Sequence, residues 1–171
     1  KLDLITPDFN FIKLVNPGDK CIFLSALSSP EECNLYYEKA FTINVTNTCI
    51  VISELLNLGA EVLFASSDVV YGHTDLPVTE ISETNPQTSY GEMKLEVENR
   101  FLDNPNFYIM RLSYVWSMKD KFSKFLLESS EFGRTVEVFH PFIRSIISLV
   151  DVTEFIFIFI NSSKDLQSII N

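Results

Sequence analysis

Tyr90 and Lys94 stand four residues apart in this chain. On a helix that spacing places both side chains on one face, with roughly 5–6 Å between their Cβ atoms. An ammonium group so close favours the ionised form of its neighbour, so we expect the pKa of Tyr90 to be lowered. A tyrosine tuned in this way can exchange a proton with a carbonyl or an alcohol. The pair therefore indicates hydride chemistry at a carbon–oxygen bond.

Ser67 stands where a hydroxyl could hold the same reacting oxygen. It follows the apolar run 62–65, which predicts a buried strand. In open α/β sheets, ligands bind at the carboxyl ends of the strands. A Tyr–Lys pair without such a context is more often an exposed pair on a helix, so the hypothesis depends on the preceding strand.

The elements that would position these residues alternate along the chain. Hydrophobic runs predict strands at 20–26, 61–65, 107–112, 136–139 and 145–149. Capping signals predict a helix beginning at Pro30, helices over 44–58, 90–102 (with Ser89 as its cap) and 120–132, and a last helix opened by a capping box at Asp151. This alternation predicts an α/β fold built on a doubly wound parallel sheet.

The composition limits the classes of function. The chain has 171 residues, of which 46% are hydrophobic, and a net charge of −10. Nucleic acid is not expected as a partner, because a surface that binds it is basic. No apolar run is long enough to predict a membrane span. Three cysteines without Cys-x-x-Cys spacing and two histidines without companion ligands predict a reduced, cytoplasmic protein and no metal site.

In these motifs the sequence resembles the extended short-chain dehydrogenase/reductase superfamily of sugar-nucleotide epimerases, dehydratases and reductases. The resemblance implies a Rossmann-like sheet, NAD or NADP as cofactor and a nucleotide-linked sugar as substrate. It assigns catalytic roles to Ser67, Tyr90 and Lys94, and to Asn44 on an earlier helix. Lys94 would also hold the nicotinamide ribose. Beside the dinucleotide the resemblance places Ser25, Ala26, Tyr90, Lys94 and Leu112.

Within the superfamily, the segment 67–69 is most similar to the dTDP-4-dehydrorhamnose reductase group. Dehydratases carry a glutamate where Val69 stands, and a valine cannot transfer a proton, so dehydration is not expected. The resemblance implies reduction of a 4-keto sugar in polysaccharide or deoxysugar biosynthesis, with sugar-nucleotide epimerisation as the alternative. It assigns substrate contacts to Asp68, Tyr114 and Arg144.

The glycines depart from the superfamily's pattern. A dinucleotide-binding sheet needs a glycine-rich turn after its first strand, and the five glycines of this chain form none. We therefore interpret 1–171 as a partial NAD(P)-binding domain that lacks the first βαβ unit and most of the C-terminal substrate domain, with 117–150 beginning the substrate-binding part. The missing turn keeps a second alternative open, a non-catalytic relative like the regulatory subunit of methionine adenosyltransferase. Dimers of the superfamily imply that a homodimer could form through the helices containing 44–58 and 90–102.

Overall fold

The computed structural model describes residues 2–74, 76–137, 140, 144–162 and 166–171. The strands in this part of the chain are Lys20–Phe23 (β1), Glu61–Ser67 (β2), Phe107–Leu112 (β3), Tyr114–Trp116 (β4), Ile146–Ser148 (β5) and Ile169–Ile170 (β6). One parallel sheet contains β1, β2, β3 and β6 side by side in that order, and a second parallel sheet pairs β4 with β5.

Helices connect these strands. They are Pro30–Leu35 (α1), Tyr37–Phe41 (α2), Thr48–Asn57 (α3), Ser89–Phe101 (α4), Lys121–Glu131 (α5) and Leu149–Ser162 (α6). A π-helical turn, Thr42–Asn47, joins α2 to α3, and 3-10 turns cover Phe9–Leu14 and Asp68–Tyr71.

The larger sheet has helices on both faces, which confirms the predicted doubly wound, Rossmann-like fold. On one face, Phe64 and Phe107 stack with ring centroids 5.9 Å apart in a core shared with α3 and α4. On the other face, Leu63 and Tyr108 pack against Phe159 of α6. Neighbouring residues of a strand point to opposite faces, so a strand covered on both sides needs the continuous apolar sequence that predicted β2.

Helix boundaries depend on side chains outside the apolar pattern. The predicted cap of α1 is confirmed, because the Ser29 hydroxyl accepts a hydrogen bond from the Glu32 N–H at 3.3 Å. The prediction that Ser89 caps α4 is wrong: the Thr88 hydroxyl accepts from the Gly91 N–H at 3.1 Å. Helical structure also begins before the predicted residue 44, since α2 and the π-helical turn run directly into α3.

Strand boundaries differ in a similar way. β1 ends at Phe23 and not at residue 26, because residues 24–28 leave the sheet to form a loop. Residues 136–137 have no regular structure, and the rest of the predicted strand 136–139 lies outside the described residues. The predicted strand 145–149 is observed as β5, and α6 begins at Leu149, before the predicted capping box.

The helices of the predicted homodimer carry apolar side chains that the chain buries by itself. Leu55 of α3 and Val97 of α4 belong to the core, whereas Ile50 is 44% exposed. The homodimer therefore stays a prediction, as does the division at residue 117. Among the described residues, no helix combines the length and the apolar character that crossing a membrane would require.

Candidate active site

A cleft of about 300 Å³ lies where the carboxyl ends of β2 and β3 meet the first turns of α4. The loop after β1 closes one side of it. Five of the predicted site residues line this cleft: Ala26, Ser67, Tyr90, Lys94 and Leu112. The remaining lining residues are Leu24, Ser28, Ala65, Ser66 and Ser113. The cleft thus lies at the predicted edge of the sheet, and five of its ten lining residues are ones the sequence singled out; their roles stay predictions.

Lys94 is the buried cation of the cleft. Its side chain is only 3% exposed, and its Nζ donates a hydrogen bond to the Ala65 carbonyl at 2.6 Å. The same ammonium lies 4.5 Å from the centroid of the Phe64 ring and 5.6 Å from that of Tyr90. Burial penalises the charged form and lowers the pKa of Lys94 to about 8, while the Glu98 carboxylate opposes this shift.

Tyr90 lines the cleft one helical turn before Lys94, as predicted, but its acidity is opposite to the prediction. Burial raises the pKa of Tyr90 to about 12, and the Asp68 carboxylate adds to the rise. The Lys94 ammonium, which is bonded to the Ala65 carbonyl, does not outweigh this rise. Tyr90 is therefore fully protonated at neutral pH.

Ser67 ends β2 and begins the 3-10 turn at the wall of the cleft. Its hydroxyl donates to the Asp68 carboxylate at 3.2 Å and accepts from the Val69 N–H at 3.4 Å. These bonds hold the half-buried serine at the end of the strand. Asp68 and Ser25 are not among the residues that line the cleft, so their predicted contacts with substrate and cofactor are not part of this geometry.

Asn44 supports the cleft from behind. Its side chain is 3% exposed and bonds both backbone groups of Leu27, at 2.8 and 2.9 Å. Its amide nitrogen also lies 3.7 Å from the sulfur of Met93 on α4. Asn44 therefore connects the π-helical turn, the loop after β1 and the helix that carries Tyr90. A direct catalytic role for it stays a prediction.

Tyr114 and Arg144 meet in a different cleft, of about 380 Å³. The Arg144 guanidinium lies over the Tyr114 ring, 4.5 Å from its centroid. The Tyr114 hydroxyl donates to Asp120, the N-cap of α5. The cleft is also lined by Trp116, Phe122, Ser123, Leu126 and Ile146. Two of the three predicted substrate residues are thus brought together, in a cleft that Tyr90 does not line.

A buried polar network beside the first cleft was missed by the sequence reasoning. Glu98 of α4 pairs with Arg111 of β3, with a shortest separation of 2.6 Å. Ser66 donates to the same carboxylate, and Arg111 also donates to the Tyr71 hydroxyl at 2.8 Å. The available signal was a charged residue at a position that periodicity assigns to the core: Glu98 follows Lys94 by one turn, and Arg111 interrupts an apolar strand.

The chain is similar in sequence and in fold to known proteins. Over 104 residues it is 30% identical to subunit beta of methionine adenosyltransferase 2 from Xenopus tropicalis, a match that covers 60% of this chain and 31% of that protein. A dTDP-4-dehydrorhamnose reductase structure from Clostridium acetobutylicum has a TM-score of 0.77 at 28% identity, and the match covers 87% of this chain and 54% of that one.

A third relative shares the fold at lower identity. It is a UDP-glucuronic acid 4-epimerase from Bacillus cereus in complex with UDP-glucuronic acid and NAD, with a TM-score of 0.79 and 18% identity, over 98% of this chain and 56% of that one. The chain therefore spans about a third of the curated relative and little more than half of the two solved structures. The RmlD substrate binding domain family matches residues 13–168, and the chain belongs to that family.

Proposed function

We propose that the protein carrying this chain is an NAD(P)-dependent reductase of a nucleotide-linked 4-keto sugar, in which Tyr90 is the proton donor. The observation that supports this most directly is that Ser67, Tyr90 and Lys94 line one cleft at the carboxyl ends of β2 and β3. The similarity to a dTDP-4-dehydrorhamnose reductase agrees with the proposal, and so does Val69, which cannot act as an acid or a base.

The residues of the cleft fit the nicotinamide end of a dinucleotide. An ammonium has three donors, and Lys94 uses one of them on Ala65, which leaves two for ribose hydroxyls. Ala26 and Ser66 are small, so a planar ring and its ribose can approach the strand ends closely. When bound, the nicotinamide would supply the hydride.

The chain's own residues would then manage the proton. With a pKa of about 12, Tyr90 carries its proton at neutral pH, as an ordinary tyrosine does, and the protonated form is the one that a reduction consumes. The proton passes from the Tyr90 oxygen to the sugar oxygen that becomes a hydroxyl. The Lys94 ammonium, 5.6 Å from the ring centroid, stabilises the tyrosinate that is left. Ser67 would orient the sugar oxygen, and Tyr90 would regain its proton from solvent.

Replacement of Tyr90 by phenylalanine tests this proposal. We expect Tyr90→Phe to reduce turnover of a 4-keto sugar nucleotide with NADPH by roughly 10²–10⁴-fold, the usual contribution of a positioned acid. Tyr36→Phe, at a side chain that is 57% exposed, is the matched control and should leave turnover unchanged. Unaltered turnover in Tyr90→Phe would show that another group supplies the proton.

Epimerisation is the alternative within the same chemistry, and the similarity to a UDP-glucuronic acid 4-epimerase motivates it. A reductase consumes NADPH in proportion to product, whereas an epimerase recycles a tightly held dinucleotide and shows no net oxidation. Absorbance of the reduced nicotinamide during turnover distinguishes the two. Stoichiometric loss of that absorbance supports the reductase.

A non-catalytic binding subunit is the second candidate, favoured by the 30% identity to subunit beta of methionine adenosyltransferase 2. This reading predicts a stable complex with a methionine adenosyltransferase catalytic subunit in analytical ultracentrifugation, and no turnover of a sugar nucleotide. A complex that forms equally well with Tyr90→Phe, together with absent turnover in the wild type, would favour this candidate over the enzyme.

A further inference from the structure

Glu98 is buried directly behind the wall of the active-site cleft. Its side chain is 1% exposed and lies one helical turn after Lys94 on α4. Arg111 donates to its carboxylate from Nη2 at 2.6 Å and from Nε at 3.1 Å, and the Ser66 hydroxyl donates to it as well. Within the described part of the chain, the donors to this carboxylate come from the sheet, so the carboxylate joins α4 to the ends of two strands.

The strand register makes this connection specific. Ser66 of β2 and Arg111 of β3 are register partners, and both bind the same carboxylate. Lys94 binds the carbonyl of Ala65, the residue immediately before Ser66. Two successive turns of α4 are thereby attached to two successive residues of β2. A change in the helix position would have to break both attachments.

Stability alone does not explain such a group. Removing two charges from water costs about as much as a buried pair regains, and well-packed apolar residues of similar volume are often as stable. Ser66 lines the cleft while its hydroxyl is bound by Glu98, so the network reaches the site itself.

We propose that Glu98 is a positioning residue of the proposed active site, which holds Lys94 on the Ala65 carbonyl and Ser66 in the cleft wall through its bonds to β2 and β3. This inference rests on the proposed function, because it assigns Glu98 a role in presenting Lys94. Glu98 itself does not line the cleft and acts through its neighbours.

The charges around Lys94 give this role a measurable signature. Glu98 faces it from the same helix and Cys33 from α1, with Tyr90 on the preceding turn. Burial lowers the pKa of Lys94, and the Glu98 carboxylate opposes that effect. Loss of the Glu98 charge should therefore lower the pKa of Lys94 further.

The test is a direct titration of Lys94 by NMR with lysine labelled at ¹³Cε, its resonance assigned by its loss in Lys94→Arg. For the wild type we expect a midpoint at a pH of about 8. In Glu98→Gln, which keeps the size of the side chain, the midpoint should fall by on the order of one pH unit, as expected when an adjacent opposite charge is removed. Glu96→Gln removes a charge from the exposed face of the same helix and should leave the midpoint unchanged.

Glu98→Gln leaves the Arg111 guanidinium without its anion and could therefore unfold the chain, so a second variant is needed. Glu98→Gln/Arg111→Met removes both charges and should also lower the midpoint, because the Glu98 carboxylate that raises the pKa of Lys94 is absent from it as well. An unshifted Lys94 midpoint in either folded variant would overturn the proposal. In turnover, the positioning role predicts a lower kcat with little change in KM for the sugar. The NMR titration does not depend on turnover, so the inference and the proposed function can fail separately.

Discussion

Asn44 binds both backbone groups of Leu27: its Oδ1 accepts from the Leu27 N–H at 2.8 Å, and its Nδ2 donates to the Leu27 carbonyl at 2.9 Å. Only a side chain that both donates and accepts can make this pair of bonds. Leu27 lies in the loop whose neighbours Ala26 and Ser28 line the cleft. The amide therefore fixes the wall of the site that faces Tyr90.

Replacing Asn44 with aspartate should destabilise the chain, because the carboxylate cannot donate to the Leu27 carbonyl and is buried without a cation bonded to it. We expect a loss of about 1–3 kcal/mol in the free energy of unfolding, measured in urea. Asn161 offers the matched control: its Nδ2 also donates to a backbone carbonyl, that of Phe157 at 2.7 Å, but at an exposed position. Asn161→Asp should cost no more than about 0.5 kcal/mol. Equal losses in the two variants would contradict the structural role of Asn44.

The low pKa of Lys94 should make stability increase with pH. The pKa falls from an ordinary 10.5 to about 8 in the folded chain. Between these values the unfolded chain holds a proton that the folded chain has lost, so the free energy of unfolding rises with pH. Over the whole interval this contribution amounts to roughly 3 kcal/mol. Below pH 8 both states hold the proton, and Lys94 contributes no slope.

Tyr90 should make the free energy of unfolding fall with pH, in a higher pH range than that of Lys94. Its pKa rises from 10.0 to about 12 on folding, so between these values the folded chain keeps a proton that the unfolded chain has lost, and stability falls. Urea unfolding from pH 7 to 10 in the wild type and in Lys94→Met isolates the Lys94 effect, because the Tyr90 effect begins only above pH 10. The free energy of unfolding of the wild type should rise relative to that of Lys94→Met above pH 8, by up to roughly 3 kcal/mol. Lys39→Met, at an exposed lysine of α2, should give a curve parallel to the wild type.

The Glu98–Arg111 pair should show strong coupling in a double-mutant cycle. Arg111→Met leaves the Glu98 carboxylate buried without its partner, which costs about 3–5 kcal/mol in comparable cases. In Glu98→Gln/Arg111→Met no charge remains to be desolvated, so we expect the double variant to be more stable than Arg111→Met. Additive losses in urea unfolding would mean that the two side chains act independently.

Local patterns were sufficient to predict the fold and the edge of the sheet. β2 and β3 are covered on both faces, so each contains an apolar run, 62–65 and 107–110, that can be identified without its partners. Tyr90 and Lys94 share a helical face by spacing alone, and their shared cleft follows from the strand before them. Those predictions depend only on residues close together in the sequence.

The wrong and missing predictions concern burial and contacts between residues far apart in the sequence, which no local pattern encodes. The acidity of Tyr90 depends on how completely the folded chain removes it from water, and this effect outweighs the neighbouring ammonium. The partner of Glu98 lies 13 residues away on another element, so the sequence showed an unexplained charge but not its ion pair. Tyr114 of β4 and Arg144 meet at the second cleft, and no local pattern predicted that contact.

Gly72 controls the loop between Ser67 and Tyr90. Its φ of +71° and ψ of −153° lie in a region that is essentially restricted to glycine. A Cβ at this position would lie 2.0 Å from the Asn85 carbonyl oxygen, a contact with backbone that no side-chain rotation relieves. The next residue, Pro86, packs against Gly91 in the first turn of α4, so a displaced loop would disturb the helix that carries Tyr90.

Gly72→Ala should therefore cost clearly more than the torsional strain alone. Gly18 isolates that strain, because its φ is +85° and nothing lies within 4 Å of a Cβ built there. We expect Gly18→Ala to lower the free energy of unfolding by about 1–2 kcal/mol, the cost of a left-handed conformation. Gly72→Ala adds the clash with Asn85 and should lower the free energy of unfolding by at least twice as much. It should also reduce turnover, because the displaced loop disturbs α4. If the two alanine variants unfold at the same urea concentration, the contact between Gly72 and Asn85 does not determine the position of the loop.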